Sequence, residues 1–286
     1  MTPQRFRGPA DLHLHSQNSD GTESPAVVMD AAHAHGIRTA SLTDHDTTSG
    51  WAEAAGRARE LGMTFIPGME MSAKYGGRSV HVLSYLIDPE DADLGAMIAR
   101  VRESREKRVS VMVERIGVDY DLTWADVVAK TTDGATVGRP HIADALIARG
   151  IVADRTEAFA DILHPRSDYY VSLFAPDPLT AVSLVVGAGG VPIIAHPAGR
   201  AGLLPVDLLE RLVEAGLAGF EVGHRENREP GLTRLGELVA AHDLIVTGSS
   251  DYHGAGKPNL PGENTTSDDM VQRIIDRATG SAPVYA

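Results

Sequence analysis

The chain of 286 residues contains no cysteine. Disulfides and thiolate metal sites are therefore excluded, and any bound metal must be held by histidine, aspartate or glutamate. A run of about eighteen apolar residues is also missing, which argues against a membrane-spanning helix. The first ten residues, MTPQRFRGPA, lack the apolar core of a signal peptide. We therefore expect a cytoplasmic protein that has no membrane partner.

Positive charge is scarce as well. The chain has 26 Lys and Arg against 39 Asp and Glu, which gives a formal net charge of −13. This excess of acids argues against general electrostatic binding of long duplex nucleic acid. It does not argue against an enzyme for phosphorylated substrates, because carboxylates that bind divalent cations are neutralised.

Short apolar runs alternate with helical stretches in the first ninety residues and again near the C-terminus. ADLHLH predicts a strand, and SPAVVMDAAHAHG predicts a helix capped by Ser24, with Pro25 in its first turn and Gly36 at its end. Further strands are predicted in IRTASLTDHD, MTFIPGMEMSA, SVHVLSYLI, GGVPIIAHP, LAGFEVGH and LIVTGSSDYH. This alternation predicts an α/β fold with a parallel sheet, open or closed into a barrel.

Helical patterns dominate between residues 100 and 172, as in TWADVVAKT and DRTEAFADIL. We interpret 100–172 as a small helical insertion domain, and 1–99 with 173–286 as the barrel that carries the site. Within the insertion, residues 100–115 hold six basic and three acidic side chains. This composition favours the solvated face of an amphipathic helix over a surface that guides anionic substrates.

Histidines and acids recur at the predicted strand ends. His13 and His15 occupy alternate positions of one strand and therefore face the same side. Glu70 lies in an otherwise apolar strand, where an unpaired carboxylate would be costly. Sites in parallel β/α folds are built at the C-terminal strand edge. The candidate metal ligands are His13, His15, Asp20, His45, Glu70, His81, His196, Asp251 and His253.

Nine protein ligands are too many for one ion, so the sequence predicts two or three divalent ions. Nitrogen and oxygen ligands suit Mn, Fe or Zn. Ions spaced about 3.5–4 Å apart suit displacement at phosphorus. Asp44 and Asp46 have two open interpretations: one of them orients a ligand histidine, or they cap the following helix.

The motifs DLHLHSQNSDG, LTDHDT, IPGMEMSA, IAHP and GSSDYHG resemble, in order, those of the PHP (polymerase and histidinol phosphatase) superfamily. The resemblance covers the chain on both sides of the insertion. It implies a distorted (β/α)7 barrel with a trinuclear metal centre. It also implies one ion at His13, His15, Glu70 and Asp251, a second at Glu70, His81 and His196, and a third at Asp20, His45 and His253.

The insertion motif GRPHIA, residues 138–143, resembles that of stand-alone members that remove the 3′-phosphate from nucleoside 3′,5′-bisphosphates and trim the 5′ ends of short RNA. This likeness implies a metal-dependent phosphoesterase, in which activated hydroxide attacks a small phosphorylated substrate. Arg139 and His141 would contact a substrate phosphate, and His224 would contact phosphate or donate a proton. Arg139 also fits a plain helix start because Pro140 follows it, and His224 also fits a structural role.

Two alternative functions stay open. A histidinol-phosphate-type phosphatase has the same metal chemistry, although its small substrate gives no reason for an insertion carrying Arg139. A non-catalytic nucleic-acid-binding or polymerase-associated module is the second, and the acidic composition disfavours it. The oligomeric state is left open.

Overall fold

A computed structural model describes residues 8–199 and 202–286, so most of the MTPQRFRGPA stretch lies outside the described residues. The strands are β1 (Ala10–Leu14), β2 (Thr39–Leu42), β3 (Thr64–Phe65), β4 (Gly68–Tyr75), β5 (Arg78–Tyr85), β6 (Val191–Ile194), β7 (Gly219–Gly223) and β8 (Ile245–Gly248). The helices are α1 (Pro25–Ala34), α2 (Trp51–Glu60), α3 (Ala92–Asp119), α4 (Trp124–Val128), α5 (Arg139–Ala148), α6 (Arg155–Ala160), α7 (Pro178–Gly187), α8 (Val206–Glu214), α9 (Gly231–His242) and α10 (Asp268–Arg277).

The strands form two sheets. In the first, β1, β2 and β3 are parallel. The second has the order β4-β5-β6-β7-β8, with antiparallel pairs at β4–β5 and β5–β6 and parallel pairs after them. Single bridges join the sheets, Leu14 to Tyr252 and His45 to Glu70. The mixed α/β class is confirmed, but the described strands do not pair into one continuous barrel.

The prediction of a parallel sheet throughout is wrong at β4 and β5. The two strands are joined by Gly76 and Gly77, whose φ angles are +55° and +83°. Glycine adopts such angles without steric cost, and a Gly-Gly pair allows the two-residue turn that links antiparallel strands. His81 pairs with Ser72, two residues beyond Glu70. Because cross-strand pairs and alternate residues share a face, Glu70 and His81 lie on the same face of the hairpin.

Helix α1 has the predicted ends. The Ser24 side chain accepts a hydrogen bond from the Val27 backbone N–H, Pro25 is its first residue, and Gly36 follows it with a φ of +84°. Helices α1 and α2 pack on the first sheet in a hydrophobic cluster that includes Met29 and Phe65. Burying this apolar surface stabilises the fold by roughly 25 cal/mol per Å². The packing fixes the strand ends that carry the first histidines.

Helices α3 to α6 lie between β5 and the later strands in sequence. Helix α3 begins at Ala92 and therefore crosses the predicted domain boundary at residue 100. Its C-terminal half packs with α4, α5 and α6 in a hydrophobic cluster of their own, which includes Ile116 and Ile142. None of the described helices combines the length and the apolar composition needed to cross a bilayer.

Candidate metal centre

The structure brings all nine predicted ligands together. They form four overlapping groups of three, and within each group one ligand atom per residue lies within 4.8 Å of the other two. The groups are His13 with His15 and Asp251, His15 with Asp20 and His253, His15 with His45 and Glu70, and Glu70 with His81 and His196. Residues from distant parts of the chain thus meet where the ends of the two sheets face each other.

Glu70 is the centre of this cluster, and its side chain is buried. Each of its carboxylate oxygens faces a different set of imidazoles. Oε1 lies 2.8 Å from His81 Nδ1 and 3.5 Å from His196 Nε2, and Oε2 lies 3.1 Å from His15 Nε2, 3.2 Å from His45 Nδ1 and 3.4 Å from His13 Nε2. A carboxylate shared between two sets of nitrogens has the arrangement of a bridging ligand.

Strand β1 and the residue that follows it bring two imidazoles, His13 and His15, to the same point. The Nε2 atoms of His13 and His15 lie 3.0 Å apart. Asp251, which follows β8, places Oδ1 3.5 Å from the first and 3.4 Å from the second. Two nitrogens and one carboxylate oxygen converging in this way are typical protein ligands for one catalytic ion.

The loop after β1 returns over the strand end and delivers Asp20. Its Oδ1 lies 3.2 Å from His253 Nε2 and its Oδ2 lies 3.8 Å from His45 Nε2. Gly21 permits this close return, because a Cβ there would lie 2.5 Å from the carbonyl oxygen of His15. The turn therefore requires glycine at this position.

Electrostatic interactions keep the clustered acids ionised. Burial would raise the pKa of Glu70, but the surrounding histidines outweigh burial and hold that pKa well below its usual range. Burial would also raise the pKa of Asp251, but Lys257 and the neighbouring histidines outweigh burial and hold that pKa well below its usual range. Burial would lower the pKa of His15, but hydrogen bonds to Asp251 and Glu70 raise it to about 9. In the absence of a metal ion, protonated histidines such as His15 therefore carry the positive charge of the cluster.

In the described residues, three buried imidazole nitrogens have no hydrogen-bond partner: His45 Nδ1, His224 Nε2 and His253 Nε2. Burial lowers the pKa of His45 to about 3 and that of His253 to about 4, so both rings are neutral and each offers a lone pair. A buried polar atom without a partner is costly, and a metal ion satisfies such a lone pair. The donor set of imidazole nitrogens and carboxylate oxygens fits Mn, Fe or Zn.

Sequence reasoning missed Glu221, which supports the cluster from behind. Its Oε1 lies 2.9 Å from His13 Nδ1, and its Oε2 accepts a hydrogen bond of 2.8 Å from the His196 backbone N–H. The side chain is fully buried. A carboxylate that holds the outer nitrogen of a ligand histidine fixes the ring orientation. The signal was present, because GFEVG places a carboxylate in an apolar strand just as GMEMS does at Glu70.

Asp44 and Asp46 flank His45, and neither caps a helix. The N-cap of α2 is Gly50, without a side-chain hydrogen bond, so the capping interpretation is wrong. Asp44 accepts hydrogen bonds from the backbone and hydroxyl of Ser16 and from the hydroxyl of Ser19. Ser19 Oγ in turn lies 3.4 Å from His15 Nδ1. Asp44 therefore contacts His15, a predicted ligand, through Ser19, which agrees with the orienting interpretation.

Asp46 ties the loop that carries His45 to its neighbours. Its carboxylate accepts hydrogen bonds of 2.8 Å from the Ser72 backbone N–H, the Ser72 hydroxyl and Arg105 Nε. Both Asp46 and Arg105 are buried. Helix α3 is thereby linked directly to the backbone beside the cluster.

The cluster opens on a cleft of about 830 Å³, with Asp20, His45 and His81 in its wall. The cationic side chains that line it are Arg105, Arg108, Arg139, Arg155, Arg225, Arg228 and Lys257. Four of them, Arg105, Arg155, Arg225 and Lys257, pair with carboxylates, and the group as a whole favours the binding of an anion in the cleft. The solvated-face interpretation of residues 100–115 is wrong for Arg105 and Arg108, which are buried and face the cleft.

Of the three predicted substrate contacts, Arg139 lies in the cleft wall. It donates a hydrogen bond of 3.0 Å to the Leu163 carbonyl, and its guanidinium lies 5.1 Å from the ring centre of Phe159 and 5.6 Å from that of Tyr170. These contacts hold the guanidinium in place without a carboxylate partner among the described residues.

His141 and His224 lie outside the described lining of the cleft. His141 is buried, and its Nδ1 accepts a hydrogen bond of 3.0 Å from the Gly138 backbone N–H at the start of α5. His224 is also buried, and its Nε2 lies 3.6 Å from Asp251 Oδ2. The structure thus places the first beside a helix terminus and the second beside a predicted ligand.

Comparisons with known proteins agree with this site. Residues 11–123 match the PHP domain family. The 3′,5′-nucleoside bisphosphate phosphatase of Chromobacterium violaceum is 34% identical over 258 residues, which cover 86% of this chain and 88% of that protein. A 5′-3′ exoribonuclease of Haemophilus influenzae is also 34% identical, over 85% of this chain and 89% of the relative.

A solved structure from Bifidobacterium adolescentis, described as a metal-dependent phosphoesterase, has a TM-score of 0.92 and 40% sequence identity. The match covers 96% of this chain and 98% of the other. The cluster of histidines and carboxylates, the fold and these relatives agree. The chain belongs to the PHP domain family of metal-dependent phosphoesterases.

Proposed function

We propose that this enzyme removes the 3′-phosphate from nucleoside 3′,5′-bisphosphates and also acts at the 5′ ends of short oligoribonucleotides. One observation carries the proposal: the ligand cluster opens on a cleft lined by six arginines and one lysine. A single phosphate needs one or two cations, whereas a substrate with two or more phosphates makes use of several. The names of the two relatives support the same substrate class.

We further propose two or three divalent ions, with manganese as the first candidate. One would be held by His13, His15, Glu70 and Asp251, a second by Glu70, His81 and His196, and a third by Asp20, His45 and His253. When bound, such ions supply an activated water and neutralise charge on the phosphoryl oxygens.

The surrounding side chains orient the substrate. Arg139 is held by the Leu163 carbonyl and by aromatic rings, so its remaining N–H groups can bind a phosphate with a bidentate contact. His141 accepts from the Gly138 N–H and thereby fixes the loop from which Arg139 extends. His224 is the candidate proton donor beside Asp251, because its buried Nε2 has no hydrogen-bond partner.

The fold is part of the proposal. We propose that the two bridged sheets correspond to the distorted (β/α)7 barrel, formed by 1–99 and 173–286, and that 100–172 is the helical insertion. The separate hydrophobic cluster of α3 to α6 supports this division. The expected cytoplasmic location stays a prediction.

Product formation from three substrates tests the function: release of inorganic phosphate from the two phosphomonoesters and release of nucleoside monophosphates from the RNA. A nucleoside 3′,5′-bisphosphate, a 5′-phosphorylated RNA oligomer and histidinol phosphate are each incubated with the manganese-loaded enzyme, with and without chelator. We expect turnover of the first two, abolished by chelator. Preferred hydrolysis of histidinol phosphate would favour the other phosphatase, and binding without turnover would favour a non-catalytic module.

A further inference from the structure

A second depression lies beside the catalytic cleft, between helix α3 and the extended segment 171–174. We call it the side groove. It has a volume of about 370 Å³, and its lining includes Arg100, Ser104, Lys107, Arg108, Ser172 and Phe174. Arg108 also lines the catalytic cleft, so the two depressions meet at this side chain.

Arg108 is a buried cation without an anionic partner. Its side chain is only 7% exposed, and its Nε has no hydrogen-bond partner. Among the described ion pairs, no carboxylate approaches its guanidinium within 4.0 Å. Burial and the charges of Arg105 and Arg139 lower the pKa of Arg108 to about 9. An uncompensated buried charge is destabilising, and a bound anion at this junction would remove that cost.

The far end of the side groove has a flat aromatic surface. The guanidinium carbon of Arg100 lies 3.9 Å from the ring centre of Phe174. The Phe174 backbone N–H donates to Ser104 Oγ at 2.9 Å, and Lys74 Nζ donates to Ser172 Oγ and to the Leu173 carbonyl. These bonds fix the wall that presents the ring. A fixed aromatic ring beside an arginine is a surface on which a nucleic-acid base stacks.

The charge of the side groove and the path of segment 171–174 suit the binding of an extended polyanion. Arg100, Lys107 and Arg108 outnumber Glu103, the carboxylate that pairs with Lys107 at 2.5 Å. Leu173 faces the cleft, whereas its neighbours face the side groove, so a single extended segment borders both depressions. A strand that leaves the cleft can therefore pass Arg108 and continue along α3.

We propose that the side groove binds the nucleotides downstream of the scissile bond in a single-stranded oligonucleotide. Arg108 contacts a downstream phosphodiester, and Phe174 with Arg100 contacts the base that follows. The inference rests on the proposed function, because the cleft must hold the 5′-terminal nucleotide. A nucleoside bisphosphate is expected to fill the cleft alone, whereas a pentanucleotide is long enough to occupy both depressions.

Equilibrium binding tests this proposal independently of catalytic turnover. The probe is a 5′-phosphorylated RNA pentamer with a 3′ fluorophore and a non-hydrolysable phosphonate at its first linkage, and its fluorescence anisotropy is measured with manganese-loaded enzyme. The variants are Phe174→Ala, Arg100→Gln and the conservative Phe174→Trp. Arg59→Gln on α2 is the matched control, since this exposed arginine lines neither depression. A nucleoside 3′,5′-bisphosphate, which is expected to bind only in the cleft, is measured as the competing ligand.

We expect Phe174→Ala and Arg100→Gln to weaken pentamer binding about tenfold each, and Phe174→Trp to keep it. Binding of the bisphosphate should change less than about twofold in every variant. The control Arg59→Gln should bind both ligands like the parent. Equal weakening of both ligands, or unchanged pentamer binding in both variants, would overturn the proposal. Pentamer binding that depends on Phe174 without cleavage of the natural linkage would instead reject the proposed function and leave the groove assignment standing.

Discussion

His13 and Glu221 form a fully buried pair in which Nδ1 of the ring lies 2.9 Å from a carboxylate oxygen. The bond occupies one ring nitrogen, and the other faces His15, Glu70 and Asp251. Glu221 thus decides which nitrogen of His13 is available to a metal. Its second oxygen accepts a hydrogen bond from the backbone N–H of His196, so one side chain contacts two predicted ligands.

Substituting Glu221 tests this orienting role. We expect Glu221→Gln to weaken metal binding about tenfold to a hundredfold, because the amide keeps the shape but loses the charge that holds the ring. The measurement is metal content after equilibrium dialysis against a metal buffer. Glu214→Gln, at an exposed position of α8, is the control and should bind metal like the parent. Unchanged metal content in Glu221→Gln would show that His13 does not depend on this carboxylate.

Glu70→Gln removes the carboxylate shared by five imidazoles. We expect the loss of more than one ion per chain and a fall in phosphate release by more than about a hundredfold, because a bridging ligand serves two ions and an amide bridges poorly. Metal analysis by mass spectrometry together with the phosphate assay measures both effects. If full metal content is retained, Glu70 is not a bridging ligand.

Arg139→Ala should separate substrate binding from metal binding. A charge-assisted bidentate contact contributes about 1.5–3 kcal/mol, so kcat/KM for the bisphosphate should fall about tenfold to a hundredfold. Metal content should stay at the parental value, because Arg139 contacts a carbonyl and aromatic rings and no predicted ligand. Arg59→Ala, at an exposed position of α2, is the control for the loss of one positive charge. Parental activity in Arg139→Ala would reject the assigned role.

Metal affinity should depend on pH through His15. Its pKa in the metal-free cluster is about 9, so below that pH the ring is a cation and must lose its proton before it can bind a metal. The apparent affinity therefore falls as the pH falls, about tenfold per pH unit for each proton displaced. Titration with a metal indicator at pH 7 and pH 8 measures the difference. Equal affinities at the two values would mean that His15 is already neutral.

The residues that form the cluster could be predicted because each carries its own local signal. A histidine pair at alternate strand positions, or a carboxylate between apolar residues, is unusual in isolation, and strand ends meet at one edge. Glu221 carries the same signal as Glu70 and was overlooked because it matches no ligand position in the motifs. Sequence reasoning was least successful where the direction of a side chain matters.

Arg105 and Arg108 illustrate that difficulty. Among six basic residues on one helix, the sequence does not tell which of them face the cleft, because that depends on how α3 is rotated relative to Asp46 and Ser72.

The antiparallel β4–β5 hairpin, in contrast, has a local signal in the sequence. Its Gly76 and Gly77 are a local turn signal that favours a hairpin, and the regular β/α rhythm elsewhere led to a parallel assignment.

Anomalous diffraction from crystals grown with manganese tests the central claim most directly. The account predicts at least two peaks at the manganese edge. One should lie among His13, His15 and Asp251, another among Glu70, His81 and His196, with Glu70 contacting both. An anomalous map with no peak inside this cluster, in crystals that diffract well and contain ample manganese, would contradict the account.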